Sequence, residues 1–349
     1  MSIKQACNFF VQWHLTERCN LNCRHCYQTG RMPDELSLPE ITEVADEISD
    51  MFASWTEIYG VDISPGLTLT GGEPFLRADF RDVLMMLRDR GFDLFVLSNG
   101  ALITEEQAEM LADNGVKGVQ VSIEGTETVH DGLRGKGSFT SALRGVRNLI
   151  NSGVKVTLNI TLSEINAGCI DDMAALSSSL GAHCLGFSRL VPSGRGEQML
   201  GQMLEKKNVA GLYKKIFAMK PEGFEIVTGD PVASQMLSAP AEGWASSVVA
   251  SGGCAAGVSG LTLLADGTVV PCRRLPVPIG NVRKDSLREL WAVSDVLEAL
   301  RDRSGYKGKC GACSRWANCR GCRAIAYAYS NAKGAGDFLA EDPQCFIDI

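Results

Sequence analysis

Two hydrophobic periods alternate along the first 190 residues. Short apolar runs rich in β-formers stand at 9–15, 66–70, 94–97, 119–123, 154–162 and 185–191, and after each but the last the apolar positions recur at helical spacing. Ser37, Asp79, Thr104 and Ser138 occupy plausible N-cap positions, while Gly60, Gly91, Gly115 and Gly153 follow the periodic segments as C-cap residues. Six strands with five intervening helices is an α/β alternation. Crossovers this short between parallel strands are right-handed and curl the sheet, so the pattern predicts a partial (βα)6 TIM-like barrel over residues 1–192. The strand period then fades: 193–250 reads as a helical connector and a loop, and a cysteine-rich C-terminal domain follows over 251–349.

Composition narrows the class. A chain of 349 residues with 45% hydrophobic positions exceeds what one core usually serves, which fits a barrel with an appendage. No run approaches eighteen uninterrupted apolar residues, and the N-terminal residues lack the apolar core of a signal peptide. The expectation is a cytoplasmic protein with no membrane partner. In that reducing setting thirteen cysteines argue for metal ligation over disulfides. The net charge of −7 argues against nucleic acid as a partner. Residues 251–349 nevertheless carry 13 Lys and Arg against 10 Asp and Glu, a balance of +3 that leaves −10 for the remainder. Arg273, Arg274, Lys307, Lys309, Arg315, Arg320 and Arg323 could offset negatively charged metal clusters there, or be ordinary surface variation.

Candidate chemistry gathers at predicted strand ends, where parallel α/β folds place their ligands. Cys19, Cys23 and Cys26 follow the first strand as C-x-x-x-C-x-x-C, whereas structural zinc sites mostly use C-x-x-C pairs. Three thiolates on one tight loop can hold three corners of a 4Fe-4S cluster, leaving one iron open to a small molecule. Gly71-Gly72-Glu73-Pro74 closes the second strand, and its glycines allow a close backbone approach, with carbonyls able to accept from an ammonium group. Asn99 ends the third strand within Ser98-Asn99-Gly100; Ser122 and Glu124 lie two apart near the end of the fourth, and Asn159 lies in the fifth. Each alone is more often a turn or an internal hydrogen bond than a ligand site.

The run from Thr16 to Tyr27 and the Gly71 to Pro74 turn together resemble the two signatures of the radical S-adenosylmethionine (SAM) enzymes. The resemblance implies a 4Fe-4S cluster on Cys19, Cys23 and Cys26, with SAM at its open iron and the SAM amino group at the glycine turn. Ser122-x-Glu124-Gly125 resembles the family's fourth-strand Ser-x-Asp-Gly, which contacts the SAM ribose and carboxylate, and Arg134 resembles the arginine that pairs with that carboxylate. By the same resemblance His25 stacks near adenine. His14, His130 and His183 read as structural, and Cys7, Cys169 and Cys184 as small hydrophobes. The stretch 192–196 reads as a loop from which Arg195 has the reach to meet an anionic substrate.

Seven further cysteines remain: Cys254, Cys272, Cys310, Cys313, Cys319, Cys322 and Cys345. Two C-x-x-C pairs, Cys310/Cys313 and Cys319/Cys322, could hold one tetrahedral zinc ion. The whole order resembles the SPASM extension, which implies up to two auxiliary 4Fe-4S clusters, one on Cys310, Cys313, Cys319 and Cys345 and the other on Cys254, Cys272 and Cys322. Three features depart from that pattern: the four-cysteine run ends in a shortened Cys319-Arg320-Gly321-Cys322; seven cysteines serve two clusters where full coordination needs eight, which leaves one iron of the cluster on Cys254, Cys272 and Cys322 open; and Arg273 stands where sulfatase maturases carry an acidic proton acceptor. The resemblance implies reductive cleavage of SAM to a 5′-deoxyadenosyl radical that abstracts a substrate hydrogen, fed by an electron donor such as flavodoxin or ferredoxin. The expected substrate is a ribosomally made peptide or protein, its leader bound by the barrel itself or by a separate recognition protein, since about eight residues precede the first strand. The alternative is a tetrapyrrole side chain in heme or heme d1 synthesis, which the endings around Cys319 to Ala324 and Gly336 to Cys345 resemble. A non-catalytic iron-sulfur electron carrier is the remote third.

Overall fold

The structure is a computed structural model that describes residues 6–237 and 249–347. The six expected strands form the centre of one sheet: β2 (Phe10–His14), β4 (Gly66–Thr70), β5 (Asp93–Ser98), β6 (Gly118–Ser122), β7 (Val156–Leu162) and β8 (Cys184–Arg189), all parallel and in chain order. β1 (Ala6–Asn8) and β3 (Asp62–Ser64) pair separately. The helices between the strands are α1 (Leu38–Tyr59), α2 (Phe80–Asp89), α3 (Glu105–Asp113), α4 (Glu127–Arg134), α5 (Ser138–Asn151) and α6 (Ile170–Leu180), so two helices, not one, link β6 to β7.

Capping residues set the helix starts. Ser37 and Thr104 form capping boxes with Glu40 and Gln107. Asp79 caps by position alone, because Arg77 holds its carboxylate at 2.6 and 3.0 Å. Ser138 is the first residue of α5 and not its cap; Gly137 caps it, and Asp131 reaches across from α4 to accept from Gly137 N (2.6 Å) and Phe139 N (2.9 Å).

Alternation along the strands separates core from site. Leu67, Leu69, Val119, Val121, Val156 and Leu158 are buried against Ile41, Ile48, Val83, Leu87, Leu111, Val146 and Leu149 of the helices, each such side chain stabilising by about 1.5–3 kcal/mol. The intervening Thr70, Gln120, Ser122, Asn159 and Thr161 face the inside of the curved sheet.

The sheet continues beyond the six strands at both edges. The stretch expected as connector and loop holds α7 (Lys206–Ala218), α8 (Ser234–Leu237) and also a strand, β9 (Glu225–Thr228), parallel to β8. Its pattern of partly exposed residues carries no apolar run, which is why the period misses it. On the other side β10 (Gly260–Leu263) runs parallel to β2, followed by antiparallel β11 (Thr268–Val270) and β12 (Gly280–Asn281). A Cβ on Gly260 would lie 2.5 Å from Phe10 O, so glycine lets the cysteine-rich segment dock directly on the first barrel strand. The rest of that segment is α9 (Leu287–Val293), α10 (Asp295–Arg301), α11 (Gly308–Ala312) and α12 (Arg323–Asn331). Among the described residues no helix is long and apolar enough to cross a membrane.

Candidate active site

Cys19, Cys23 and Cys26 lie on the loop that leaves β2, and that loop is held from two sides. On one side Gly72 N donates to Thr16 O and Glu73 N to Arg18 O, both at 2.8 Å. A Cβ on Gly71 or Gly72 would stand 2.2 Å from Thr16 O or Arg18 O, so the glycines are required first for this backbone packing. On the other side the segment after β8 clamps the loop: Arg195 N donates to Gln28 O (3.3 Å), Gly196 N to Cys26 O (3.0 Å) and Arg195 Nε to Cys23 O (3.3 Å).

A cavity of about 910 Å3 opens over the loop. Its wall contains Cys19, Cys23, Cys26, Gly71, Gly72, Asn99, Ser122, Arg134 and Asn159, all singled out by the sequence. It also contains His25, Tyr27, Gln28, Gln120, Thr161, Ser188, Arg195, Arg273 and Arg274. Gln120, Thr161 and Ser188 share the period-two face of Ser122 and Asn159, a signal present in the sequence. Opposite Asn159, Gly186 leaves room for the amide, since a Cβ there would sit 2.9 Å from Asn159 Oδ1.

Glu73, Pro74 and Glu124 stand behind the wall. Glu73 is buried and accepts from Ser98 Oγ and Asn99 N, both at 2.8 Å, tying the second strand end to the third. Burial pushes its carboxyl up to about 7, against those two hydrogen bonds. Pro74 is buried at the start of a short 3-10 turn. Glu124 accepts from Arg134 Nε (3.0 Å) and Nη2 (2.5 Å) and from Thr161 N (2.8 Å), and His25 Nε2 lies 3.2 Å away. Burial would raise the Glu124 carboxyl, but Arg134 and His25 outweigh it and hold it far below the usual range. Arg134 is thus engaged by Glu124, with Nη1 3.8 Å from Cys23 Sγ, and His25 lines the cavity with its Nε2 on Glu124. His130 and His183 accept from backbone N–H groups, as structural histidines do.

The other cysteines fall into two places. Cys310, Cys313, Cys319 and Cys345 line one cavity of about 340 Å3. Cys322 faces away, into a cavity of about 790 Å3 that shares Gln120, Asn159, Ser188, Arg273 and Arg274 with the first; Cys272 packs against the apolar cluster of Cys322, and Cys272 and Cys254 both pack against the neighbouring cluster of Ala256, Leu297 and Leu300. The shortened spacing causes this divergence: Arg320 (φ +59) and Gly321 (φ +63) are consecutive left-handed residues that turn the chain between the two thiols. Arg320 accepts the strain with its guanidinium buried on Ala317 O and Cys254 O.

The sequence matches the radical SAM superfamily over residues 13–176 and the SPASM iron-sulfur cluster-binding domain over 254–323. It is 33% identical to an AdoMet-dependent heme synthase of Methanosarcina barkeri, over 96% of this chain and 95% of that one. The chain is a radical SAM enzyme with a SPASM domain. It is also 30% identical to the mycofactocin maturase MftC of Mycobacterium tuberculosis, over 96% of this chain and 82% of that one. In fold it resembles Streptococcus suis SuiB bound to S-adenosylmethionine, with a TM-score of 0.74 at 14% identity, covering 98% of this chain and 78% of that one.

A radical SAM/SPASM enzyme uses a 4Fe-4S cluster, SAM and auxiliary iron-sulfur clusters, and the donor chemistry of this chain fits them. N–H groups point at the sulfurs: Leu21 N at Cys19 (3.5 Å), Arg315 N at Cys313 (3.4 Å), Gly321 N at Cys319 (3.3 Å) and Arg323 Nη2 at Cys310 (3.5 Å). Such donors stabilise thiolates and raise cluster potentials. Burial pushes the free thiols of Cys19 and Cys322 up to about 11 and about 12, so iron must displace their protons. Among the described residues no three His, Cys, Asp or Glu side chains close on a point as ligands of one ion do; in a cluster each thiolate binds a different iron and stands further from the next.

Proposed function

We propose that this enzyme abstracts hydrogen from an acid-bearing side chain of a tetrapyrrole and passes the resulting electron to its auxiliary clusters. The observation that carries the reading is the joined chamber: the two cavities share five wall residues and run from Cys19, Cys23 and Cys26 at one end to Cys322 at the other. A broad, flat substrate there stands between the radical source and the first auxiliary site. A heme synthase matched over 95% of its length supports the same substrate class.

In this reading Cys19, Cys23 and Cys26 hold the barrel cluster. Cys310, Cys313, Cys319 and Cys345 hold one auxiliary cluster, and Cys254, Cys272 and Cys322 the other. When bound, the barrel cluster and SAM supply a 5′-deoxyadenosyl radical. The protein orients and excludes water: Gly71 and Gly72 offer carbonyls, Asn99, Ser122 and Asn159 offer polar side chains to SAM, and Glu124 locks Arg134 beside Cys23. Glu73 and Pro74 hold the glycine turn in place. An electron donor such as flavodoxin or ferredoxin and a cytoplasmic location complete the reading.

A second reading is maturation of a ribosomally made peptide, favoured by the mycofactocin maturase match. The deciding experiment is 5′-deoxyadenosine release by the anaerobically reconstituted chain, with a tetrapyrrole precursor fraction or a peptide fraction and Cys23→Ala as control. Stimulation by tetrapyrrole alone supports the first reading; stimulation by peptide alone replaces it with the second.

A further inference from the structure

We propose that Arg273 and Arg274 form a carboxylate clamp in the chamber that grips an acidic side chain of the substrate. The proposal rests on the tetrapyrrole reading above and names the groups that recognise it. Both arginines follow Cys272 on a tight turn closed by Leu275 N donating to Cys272 O at 2.8 Å, and both line both cavities. Their Nε atoms are buried without an acceptor. Among the described residues Arg273 has no hydrogen-bond or ion-pair partner; its guanidinium stands 5.8 Å over the Tyr27 ring. Arg274 spends one Nη1 bond on Arg189 O at 3.3 Å and also faces the Cys272 and Cys322 thiols.

Both side chains are half-buried, but an N–H this enclosed ordinarily finds an acceptor, because a buried polar group without one is costly. Arg189, in the same cavity wall, shows the contrast: all five of its N–H groups are accepted. Among the described residues the chamber has no spare carboxylate to give. Glu73 and Glu124 are tied up behind its wall, and Asp230 is held by Arg189, Tyr213 and Val232 N. The rest of the shared wall is neutral: Gln120, Asn159 and Ser188. Two adjacent planar forks with free donors match a carboxylate bidentately. The competing account is that the pair only balances the charge of the cluster near Cys272 and Cys322. That account predicts no preference for an acid over its neutral ester.

The test is equilibrium binding to the reconstituted full chain of a porphyrin bearing four propionates and of its tetramethyl ester, read by the shift of the porphyrin absorption band. Iron content and the auxiliary-cluster potential are recorded for each variant. The native chain should bind the acid about ten- to a hundredfold more tightly than the ester, and Arg273→Met and Arg274→Met should each erase most of that preference at unchanged iron content. Equal binding of acid and ester by the native chain overturns the clamp and leaves the tetrapyrrole reading standing. So does a variant that shifts the cluster potential but keeps the acid preference. Binding of neither porphyrin overturns the tetrapyrrole reading and the clamp with it.

Discussion

Arg189 and Asp342 join the barrel to the cluster domain through a buried, two-pronged ion pair, Nη1 to Oδ1 at 3.0 Å and Nη2 to Oδ2 at 2.8 Å, with both side chains at 0% exposure. Asp230 and Gln344 take the remaining three N–H groups of the guanidinium, and Asp342 also accepts from Cys322 N at 2.8 Å. The end of β8 thereby sets the position of a cluster cysteine. Asp342→Ala leaves Arg189 paired with Asp230 but strands two of its buried N–H groups and the Cys322 N–H, so it should cost about 3–5 kcal/mol. Arg189→Met, which leaves two carboxylates facing each other, should cost at least as much. Chemical unfolding of each variant beside the native chain checks both, and losses under about 1 kcal/mol would show the pair to be dispensable.

The same pair sets an acid limit. Burial would raise the Asp342 carboxyl, but Arg189 outweighs it and holds it below the usual carboxylate range. A carboxyl depressed in the folded state contributes stability that is complete above its unfolded value, near 3.9, and lost as pH falls through the folded value. The stability gap between the native chain and Asp342→Asn should therefore stay constant from about pH 8 to about pH 5 and narrow only below about pH 4. Narrowing already near neutral pH would contradict the depressed carboxyl.

Much of this was readable in the residues. The strand and helix alternation located all six barrel strands, because runs such as Val119 to Ile123 are β-prone and alternate buried Val119, Val121 and Ile123 with Gln120 and Ser122. The glycine turn and the three-cysteine loop were legible because their spacing is chemical. What escaped the sequence depends on which side chains the folded chain brings into contact. Asp131 replaces Ser138 as the capping group of α5 through a contact that no local signal records. Glu124 and Arg134 look like cofactor ligands by motif, yet each satisfies the other in the fold. The free donors of Arg273 and Arg274 emerge only once the cavity shows which carboxylates are already taken.

Gly194 has φ +58, and a Cβ there would lie 2.2 Å from Tyr27 O. Because this strap holds the cluster loop through Gln28, Cys26 and Cys23, Gly194→Ala should loosen the barrel site while sparing the distant thiols. Iron should fall from about twelve per chain to about eight, with SAM cleavage lost and the auxiliary electron paramagnetic resonance signals retained. Full iron and unchanged cleavage would mean the strap does not position the loop.

Cys319 and Cys322 test the division of the cluster domain. Cys319 lines the cavity of Cys310, Cys313 and Cys345, whereas Cys322 lines the substrate chamber, separated from it by the left-handed turn at Arg320 and Gly321. Cys345→Ala and Cys322→Ala should therefore each remove about four irons but erase different resonance signals, and the double variant should retain only the barrel cluster, about four irons. A zinc site on the two C-x-x-C pairs makes the opposite demand, since it needs Cys322 and ignores Cys345. One tightly held zinc per chain that survives Cys345→Ala and is lost in Cys322→Ala would reverse the assignment. Substitution of Cys322 should also abolish product formation more completely than substitution of Cys345. Only the Cys322 site borders the chamber, so it is the one placed to take an electron directly from the substrate.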